Sequence, residues 1–293
     1  MKGIVLAGGK GSRLYPITMG VSKQLLPIYD APMIYYPLSV LIRAGISEIL
    51  VISSAEHLSG FRNLLGDGSE LGVSFSYAEQ SAPKGIAESL IIAEDFLNGD
   101  ACTLILGDNL FYGDGVEMGL QKAIKNNGAS IFSYPVKDPQ RYGVIGYDDH
   151  CNPVSIIEKP TQPPSNRAVT GLYVYPNSAV EVAKSLNPSS RGEIEITDVN
   201  QHFLNSGTLS VIDLSKSDSW FDTGTIDSLY EATDYVRALE SRVGIKVGCI
   251  EEAALTSGFI SRSEFAQRAE KFTGTTYGDY LNQILKSYGS QKN

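Results

Sequence analysis

Lys2-Gly3-Ile4-Val5-Leu6-Ala7-Gly8-Gly9-Lys10-Gly11-Ser12-Arg13-Leu14 is a short apolar run that breaks at once into a glycine-rich turn carrying two cations. The apolar residues predict a strand over Lys2 to Ala7, and the glycines end it. Bare backbone amides beside Lys10 and Arg13 make a loop that can cradle phosphate groups. Two familiar phosphate loops fail on spacing. A dinucleotide fingerprint needs glycine where Leu14 stands, and a Walker loop needs Ser or Thr directly after its lysine, where Gly11 stands. An ordinary glycine bend with a solvated arginine fits the same residues, so the segments downstream decide between the two.

The next strand candidates are Glu48 to Ile52, Val73 to Ala78 and Cys102 to Leu106. Between them Met33 to Arg43 reads as helical, as does Gly85 to Leu97, where Ile86, Leu90, Ala93 and Leu97 recur at helical spacing. Strand and helix in alternation predict an α/β fold, a mostly parallel central sheet flanked by helices, with ligands held outside the carboxyl ends of the strands. After Asp114 the rhythm changes. Ser130 to Val136, Gly143 to Tyr147, Val154 to Glu158 and Ala168 to Tyr175 are rich in β-branched and aromatic residues and predict added antiparallel strands. Helical patterns follow at Ser178 to Leu186, Thr197 to Leu204 and Ile226 to Arg242, with a strand at Leu209 to Leu214. From residue 245 onward the short segments predict an appended helical element that packs on the main body or on another subunit, which divides the chain into 1–244 and 245–293.

The 293 residues carry a formal charge of −9, with 24 Lys and Arg against 33 Asp and Glu. Such a chain lacks a general basic footprint for nucleic acid or an anionic membrane, so an anionic ligand must be held by a few placed cations. With 42% hydrophobic and 19% charged residues, intrinsic disorder is disfavoured. No apolar stretch approaches the roughly 18 residues of a membrane span, and the opening apolar run is too short for a secretory leader; a cytoplasmic location is the expectation. Cys102, Cys151 and Cys249 are odd in number and have no ligand spacing, which argues against disulfides and structural zinc and for packing as small apolar groups.

Several other segments can carry chemistry. Ser22-Lys23-Gln24-Leu25-Leu26-Pro27 offers a second cation near the glycine turn, although a lone lysine is more often a surface group. Leu104-Ile105-Leu106-Gly107-Asp108-Asn109 presents an acid at the end of a buried strand, and Trp220-Phe221-Asp222-Thr223-Gly224-Thr225 presents another in a turn. Either acid could instead cap a helix. Two carboxylates without a neighbouring histidine suit a hard divalent ion completed by water and phosphate oxygens, for which Mg2+ is the natural candidate. Glu158-Lys159-Pro160 and Arg191-Gly192-Glu193 add cations that could serve a ligand or a solvated face. His57, His150 and His202 fall outside these segments, which leaves no support for a Ser-His-Asp hydrolase or a histidine metal site.

Gly8 to Pro16, Ser22 to Asp30, Leu65-Gly66-Asp67-Gly68-Ser69, Gly107-Asp108-Asn109, Arg141-Tyr142-Gly143-Val144, Glu158-Lys159-Pro160, Val169-Thr170-Gly171-Leu172-Tyr173, Arg191-Gly192-Glu193, Glu195-Ile196-Thr197-Asp198 and Asp222-Thr223-Gly224-Thr225 occur in this order over nearly the whole chain. In these motifs the sequence resembles the glucose-1-phosphate thymidylyltransferases, a branch of the sugar nucleotidyltransferases. The resemblance implies a Rossmann-like nucleotidyltransferase fold that transfers a thymidylyl group from dTTP to α-D-glucose 1-phosphate and releases pyrophosphate with Mg2+. Carried over by position, it implies that Gly8, Gly9, Gly11 and Ser12 hold the triphosphate with Gln24 beside them. Arg13 and Lys23 would neutralise the departing pyrophosphate, and Gln80 and Gly85 would face the base. Asp108 and Asp222 would hold the metal, Lys159 and Arg191 the sugar phosphate, and Tyr142, Gly143, Glu158 and Val169 would line the sugar pocket. A tetramer built from dimers is implied as well; a nucleic-acid or membrane partner is not.

The sequence also departs from this family. Pro83-Lys84-Gly85 stands where the family commonly has Pro-Asp-Gly, beside the implied base site. Members commonly carry a second nucleotide site between subunits for feedback by the pathway's end product. Here Asp114 stands where His is usual, Ser215-Lys216-Ser217 replaces Gly-Arg-Gly, and Thr256 replaces Arg, which predicts weak feedback or a different ligand. Three rivals are a uridylyltransferase acting on the same sugar phosphate, a nucleotide-sugar-binding regulator that has lost the chemistry, and an NAD-dependent oxidoreductase, which Leu14 disfavours.

Overall fold

The computed structural model describes residues 1–290. In chain order its strands are β1 (Lys2–Leu6), the short β2 (Pro27–Ile28) and β3 (Ala31–Pro32), β4 (Glu48–Ser53), β5 (Ser74–Glu79), β6 (Cys102–Leu106) and β7 (Asn109–Tyr112). They continue with β8 (Ala129–Pro135), β9 (Gly143–Tyr147), β10 (Pro153–Glu158), β11 (Arg167–Tyr175), β12 (Leu209–Asp213) and β13 (Ser219–Asp222). Among the described residues, nine of them form one sheet whose parallel part runs β6-β1-β4-β5. Val5 lies opposite both Val51 and Ile105 in that register.

Both faces of this part are buried, and the alternation along the strands shows why. Ile4, Leu50 and Leu104 point into one apolar cluster, with the helical segments Glu88–Ile92, Ala179–Ser185 and Ile196–Asn205. Val5, Val51 and Ile105 point into the other, with the helix Tyr35–Arg43. Strands covered on both sides read as continuous apolar runs, as these do. The nine-residue β11 then converts the sheet to mixed pairing, since it runs antiparallel to β6, β8 and β9. The expected α/β architecture, with antiparallel strands added after Asp114, is what forms.

Three local expectations need correction. Gly85 to Leu97 is not one helix but two short pieces, Glu88–Ile92 and Glu94–Leu97. Gly85 sits at φ +104°, outside helical space, and the backbone of Lys84 and Ala87 bonds with Ile194 instead of starting a helical turn. Asp222 lies at the end of a strand, not in a turn, because β13 pairs antiparallel with β7 and sets Asp222 opposite Asn109. Cys102 and Cys249 are buried, but Cys151 is exposed at φ +62° on a hairpin corner and does not pack as an apolar group.

The last described helices, Ile250–Thr256, Arg262–Glu270 and Thr276–Ser290, pack on the main body. Ser257 Oγ donates to Ile42 O at 2.9 Å, and Gly248 leaves room for the Tyr36 ring. A fully buried Glu251 ties the three together: Arg268 Nε donates to it at 3.1 Å and the Tyr277 hydroxyl at 2.5 Å. Removing one partner of a buried ion pair leaves the other uncompensated, so Glu251→Ala is expected to lower stability by about 3 kcal/mol in urea unfolding while turnover per folded molecule is retained. Among the described residues no helix is long and apolar enough to cross a membrane.

Candidate active site

The carboxyl ends of β1 and β6 meet where the glycine turn begins. Gly107 N donates to Leu6 O at 2.9 Å and Ala7 N to Ile52 O at 2.7 Å, which fixes the turn between three strands. Gly9 at φ +96° and Gly11 at φ +58° adopt backbone that side-chain-bearing residues rarely accept, and Leu14, fully buried, anchors the far end. Thr18 Oγ1 donates to Gly11 O at 2.8 Å. Gln24 is buried under the turn: Ser22 Oγ donates to its Oε1 at 2.6 Å, and its Nε2 lies 3.5 Å from Gly8 O.

A cavity of ≈290 Å3 opens beyond this turn. Gly8, Arg13 and Gln24 line it from the β1 side, Asp108 and Asp222 from below, and Tyr142, Gly143, Glu158, Lys159, Val169 and Arg191 from the far side. Eleven of the residues singled out in the sequence therefore converge on one hollow. Lys23 does not line it but ion-pairs with Asp108. Gly9 and Gln80 face a neighbouring cavity of ≈400 Å3, separated from the first by the contact between Gly8 and the Gln80 amide. Gly85 lies against Ile194, where an added Cβ would stand 2.3 Å from the Ile194 carbonyl oxygen. Gly11 and Ser12 lie within the turn itself, accepting from Leu14 N and Tyr15 N.

The two acids are held differently. Burial pushes the Asp108 carboxyl up, but the Lys23 ammonium and the Asn109 amide outweigh it and hold the group below its ordinary value. Burial and the facing charge of Asp108 push Asp222 above its ordinary value, against the opposing pull of Lys23, Arg13 and Arg141. Thr223 donates to Asp108 O from both N, at 3.1 Å, and Oγ1, at 2.8 Å, which locks the two segments side by side. The Arg13 guanidinium rests against Gly224, where a Cβ would lie 2.7 Å from Nη2.

On the far side, Glu158 accepts from Thr197 Oγ1 at 2.6 Å and sits 3.3 Å from Arg191 Nη2 and 3.6 Å from Lys159 Nζ. Arg191 forks onto Glu195, with contacts of 3.1 and 2.7 Å. Lys159 has φ +44°, an unusual value for a residue with a side chain, and its N donates to Tyr142 O at 2.9 Å. The Tyr142 hydroxyl is pushed up to about 12 by burial and by Asp222.

Sequence reasoning missed three residues at or beside the cavity. Asn109 is buried with its amide in use: Oδ1 accepts from Trp220 Nε1 at 2.7 Å and Gly171 N at 3.1 Å, while Nδ2 donates to Asp108 at 3.0 Å. It thus links the indole on the cavity floor to the acid. Arg141 lines the cavity and donates to Asp138 at 2.8 Å. The signal for both was present, since Asn109 follows Asp108 and Arg141 precedes Tyr142, but neither position has a spacing rule. His57, remote in sequence, lies on the wall of the neighbouring cavity.

The cavity walls hold Arg13, Arg141, Lys159 and Arg191 against Asp108, Glu158, Glu193, Glu195 and Asp222. Its own side chains therefore leave it slightly acidic. Two facing carboxylates, one held ionised and one pushed up by its neighbour, fit a divalent cation whose remaining ligands are water and phosphate. Among the described residues there is no cluster of three or more His, Cys, Asp or Glu that would hold a metal alone.

A third cavity, of ≈680 Å3, lies on another face and includes Asp114, Ser215 and Ser217. Glu117 and Glu252 join Asp114 there, against Arg43 and Lys246. Thr256 points back to its own helix, donating to Glu252 O at 2.8 Å.

Comparison with known proteins identifies the family. The nucleotidyl transferase family matches residues 2–238. Glucose-1-phosphate thymidylyltransferase of Neisseria gonorrhoeae is 52% identical over 97% of this chain and 99% of its own length. That of Mycolicibacterium smegmatis is 50% identical over 97% and 99%. A solved structure from Bacillus anthracis, in complex with a sucrose, superimposes with a TM-score of 0.75 at 42% identity, over 81% of this chain and 95% of that one. A UDP-glucose pyrophosphorylase complexed with UDP-glucose shares the fold, with a TM-score of 0.73 at 22% identity over 81% and 98%. The chain belongs to the nucleotidyl transferase family, among its glucose-1-phosphate thymidylyltransferases.

Proposed function

We propose that the chain transfers a thymidylyl group from dTTP to α-D-glucose 1-phosphate, giving dTDP-glucose and pyrophosphate. The observation that carries this reading is the convergence of Arg13, Asp108, Lys159, Arg191 and Asp222 on one cavity beside the glycine turn. A phosphate monoester has a second pKa near 6, so the attacking oxygen is already largely ionised at neutral pH and needs no protein base. Repulsion between the two anions is the obstacle, and positioning with electrostatic stabilisation removes it.

In this reading Gly8, Gly9, Gly11 and Ser12 hold the triphosphate over the carboxyl end of β1, with Gln24 fixing the turn from beneath. Arg13 and Lys23 offset the charge of the leaving pyrophosphate. Lys159 and Arg191 release part of their pairing with Glu158 and Glu195 to take the sugar phosphate. Tyr142, Gly143, Glu158 and Val169 surround the hexose, and Gln80 and Gly85 meet the base once the Gly8–Gln80 contact opens. Asp108 and Asp222 would hold Mg2+, which when bound supplies positive charge at the polyphosphate. Residues 1–244 carry this work and 245–293 form an appended element; the working assembly is a cytoplasmic homotetramer that serves deoxysugar synthesis such as the rhamnose pathway.

Pyrophosphate release with glucose 1-phosphate and each common triphosphate tests the reading. Thymine and uracil differ by one methyl, and such a contact discriminates only about 10- to 200-fold. The expected order is dTTP first, UTP measurably second and purine triphosphates far behind; a preference for UTP would move the chain to the uridylyltransferase alternative, and no release at all would favour the non-catalytic regulator. Feedback is expected to be weak, because three carboxylates face two cations in the third cavity. Strong inhibition by a dTDP-deoxysugar that dTTP cannot relieve would contradict this.

A further inference from the structure

Gln80 is buried directly after β5, and the two ends of its amide meet different surroundings. Its Nε2 donates to Glu88 Oε2 at 2.8 Å and lies 3.5 Å from Gly85 O. Its Oε1 abuts Gly8, where an added Cβ would stand 2.3 Å away, and accepts no hydrogen bond from another described residue. Glu88 opens the helical piece Glu88–Ile92, with its side chain 14% exposed. Lys84 N lies 3.4 Å from Glu88 Oε2 and Lys84 Nζ 4.0 Å from Glu88 Oε1, so every polar neighbour of this carboxylate is a donor. An aspartate at position 84 would set a like charge beside Glu88; the lysine found there sets an opposite one.

A glutamine amide by itself cannot tell thymine from cytosine. Thymine presents an N3–H donor and cytosine an N3 lone pair beside an N4 amine, and an amide turned end for end suits either one. A carboxylate accepts and does not donate, so Glu88 bonds to the Nε2 end of Gln80 and repels the Oε1 end. The amide is thereby locked with its carbonyl oxygen as the free end. Gly85 is held in place as well: Ile194 N donates to Lys84 O at 2.7 Å and Ala87 N to Ile194 O at 3.3 Å, while Gly85 N makes no hydrogen bond to another described residue. A free acceptor beside a free donor matches N3–H and O4 of thymine or uracil and mismatches cytosine.

We propose that Glu88 is a positioning residue for base selection: by holding Gln80 Nε2 it fixes the amide in the orientation that accepts thymine and uracil and rejects cytosine. The inference rests on the placement of Gln80 and Gly85 at the base argued above. Glu88 itself touches no substrate. Turning the amide over would exchange a charge-assisted hydrogen bond for a contact between two acceptors, and such a bond is worth roughly 10- to 100-fold.

Calorimetric titration of the full chain with dTTP, UTP and dCTP in the absence of sugar phosphate, beside pyrophosphate release with glucose 1-phosphate and thermal melts, tests this. In Glu88→Gln the new amide can donate or accept, so Gln80 is free to take either orientation. The preference for dTTP over dCTP should then fall roughly 10- to 100-fold, mainly through tighter dCTP binding. The preference for dTTP over UTP, which share the N3 edge, should stay as in the wild type. Glu88→Ala, which leaves no acceptor, should relax the same preference. An unchanged ratio of dTTP to dCTP affinity in the folded variants overturns the proposal, and so does an equal loss for all three nucleotides, the mark of a merely structural role. Because the titration needs no turnover, a wild type that ranks the nucleotides through Glu88 but joins none of them to glucose 1-phosphate would sink the functional reading and leave this role standing.

Discussion

Lys159→Ala should cut turnover about 10²- to 10³-fold with the fold intact, the loss typical of removing one group that stabilises charge in a transition state. The site gives two reasons for so large an effect. Lys159 is held at φ +44° and tethered by its backbone to Tyr142, so its side chain projects from a fixed point on the cavity wall. Its ammonium also sits 3.6 Å from Glu158, a partner it can leave without abandoning a buried charge, since the lysine is about half exposed. Repulsion is greatest where the sugar phosphate reaches the α-phosphorus, so the loss should fall mainly on kcat and less on KM for glucose 1-phosphate. Steady-state kinetics beside a thermal melt checks this. A folded variant with near wild-type turnover would remove Lys159 from the machinery.

Asp222→Asn should behave in opposite directions for activity and stability. Asp222 is buried, faces Asp108, and has its carboxyl pushed up by both circumstances. Neutralising it removes a like-charge repulsion, so the metal-free protein should melt higher than wild type. Turnover should nevertheless fall about 10²- to 10³-fold, as for other losses of charge stabilisation in a reacting site. A ligand that binds only the folded state raises its melting temperature, so added Mg2+ should stabilise the wild type and barely affect the variant. Equal stabilisation of both proteins by Mg2+ would show that Asp222 is not a ligand.

The contrast between these two residues shows what the sequence discloses and what it hides. Lys159 ends a strand beside a proline, and Asp108 follows a buried strand, so both belong to the rim where α/β sheets present their ligand-binding groups. Asp222 was legible as an acid but not in its setting. Its place depends on the β7–β13 ribbon, which pairs residues more than a hundred positions apart without a periodic signature. The same holds for Asn109, whose amide joins Trp220, Gly171 and Asp108 through contacts that exist only after folding.

The continuous apolar runs of β1, β4 and β6, alternating along the chain with helical segments, were strong enough to disclose a sheet covered on both faces. The helix read over Gly85 to Leu97 failed where tertiary hydrogen bonds to Ile194 took the place of its first turn.

The central claim is a single displacement in one cleft, with no covalent stop on the protein. Among the described residues that line the first cavity there is no cysteine, histidine or serine, and in the proposed reaction Lys159 serves the sugar phosphate, and Asp108 and Asp222 the cation, rather than covalent attack. Turnover of one diastereomer of dTTP carrying sulfur on its α-phosphorus, with glucose 1-phosphate as acceptor, reads this out in the product. Inversion of configuration at phosphorus is the predicted result; retention would require two successive displacements and would contradict it.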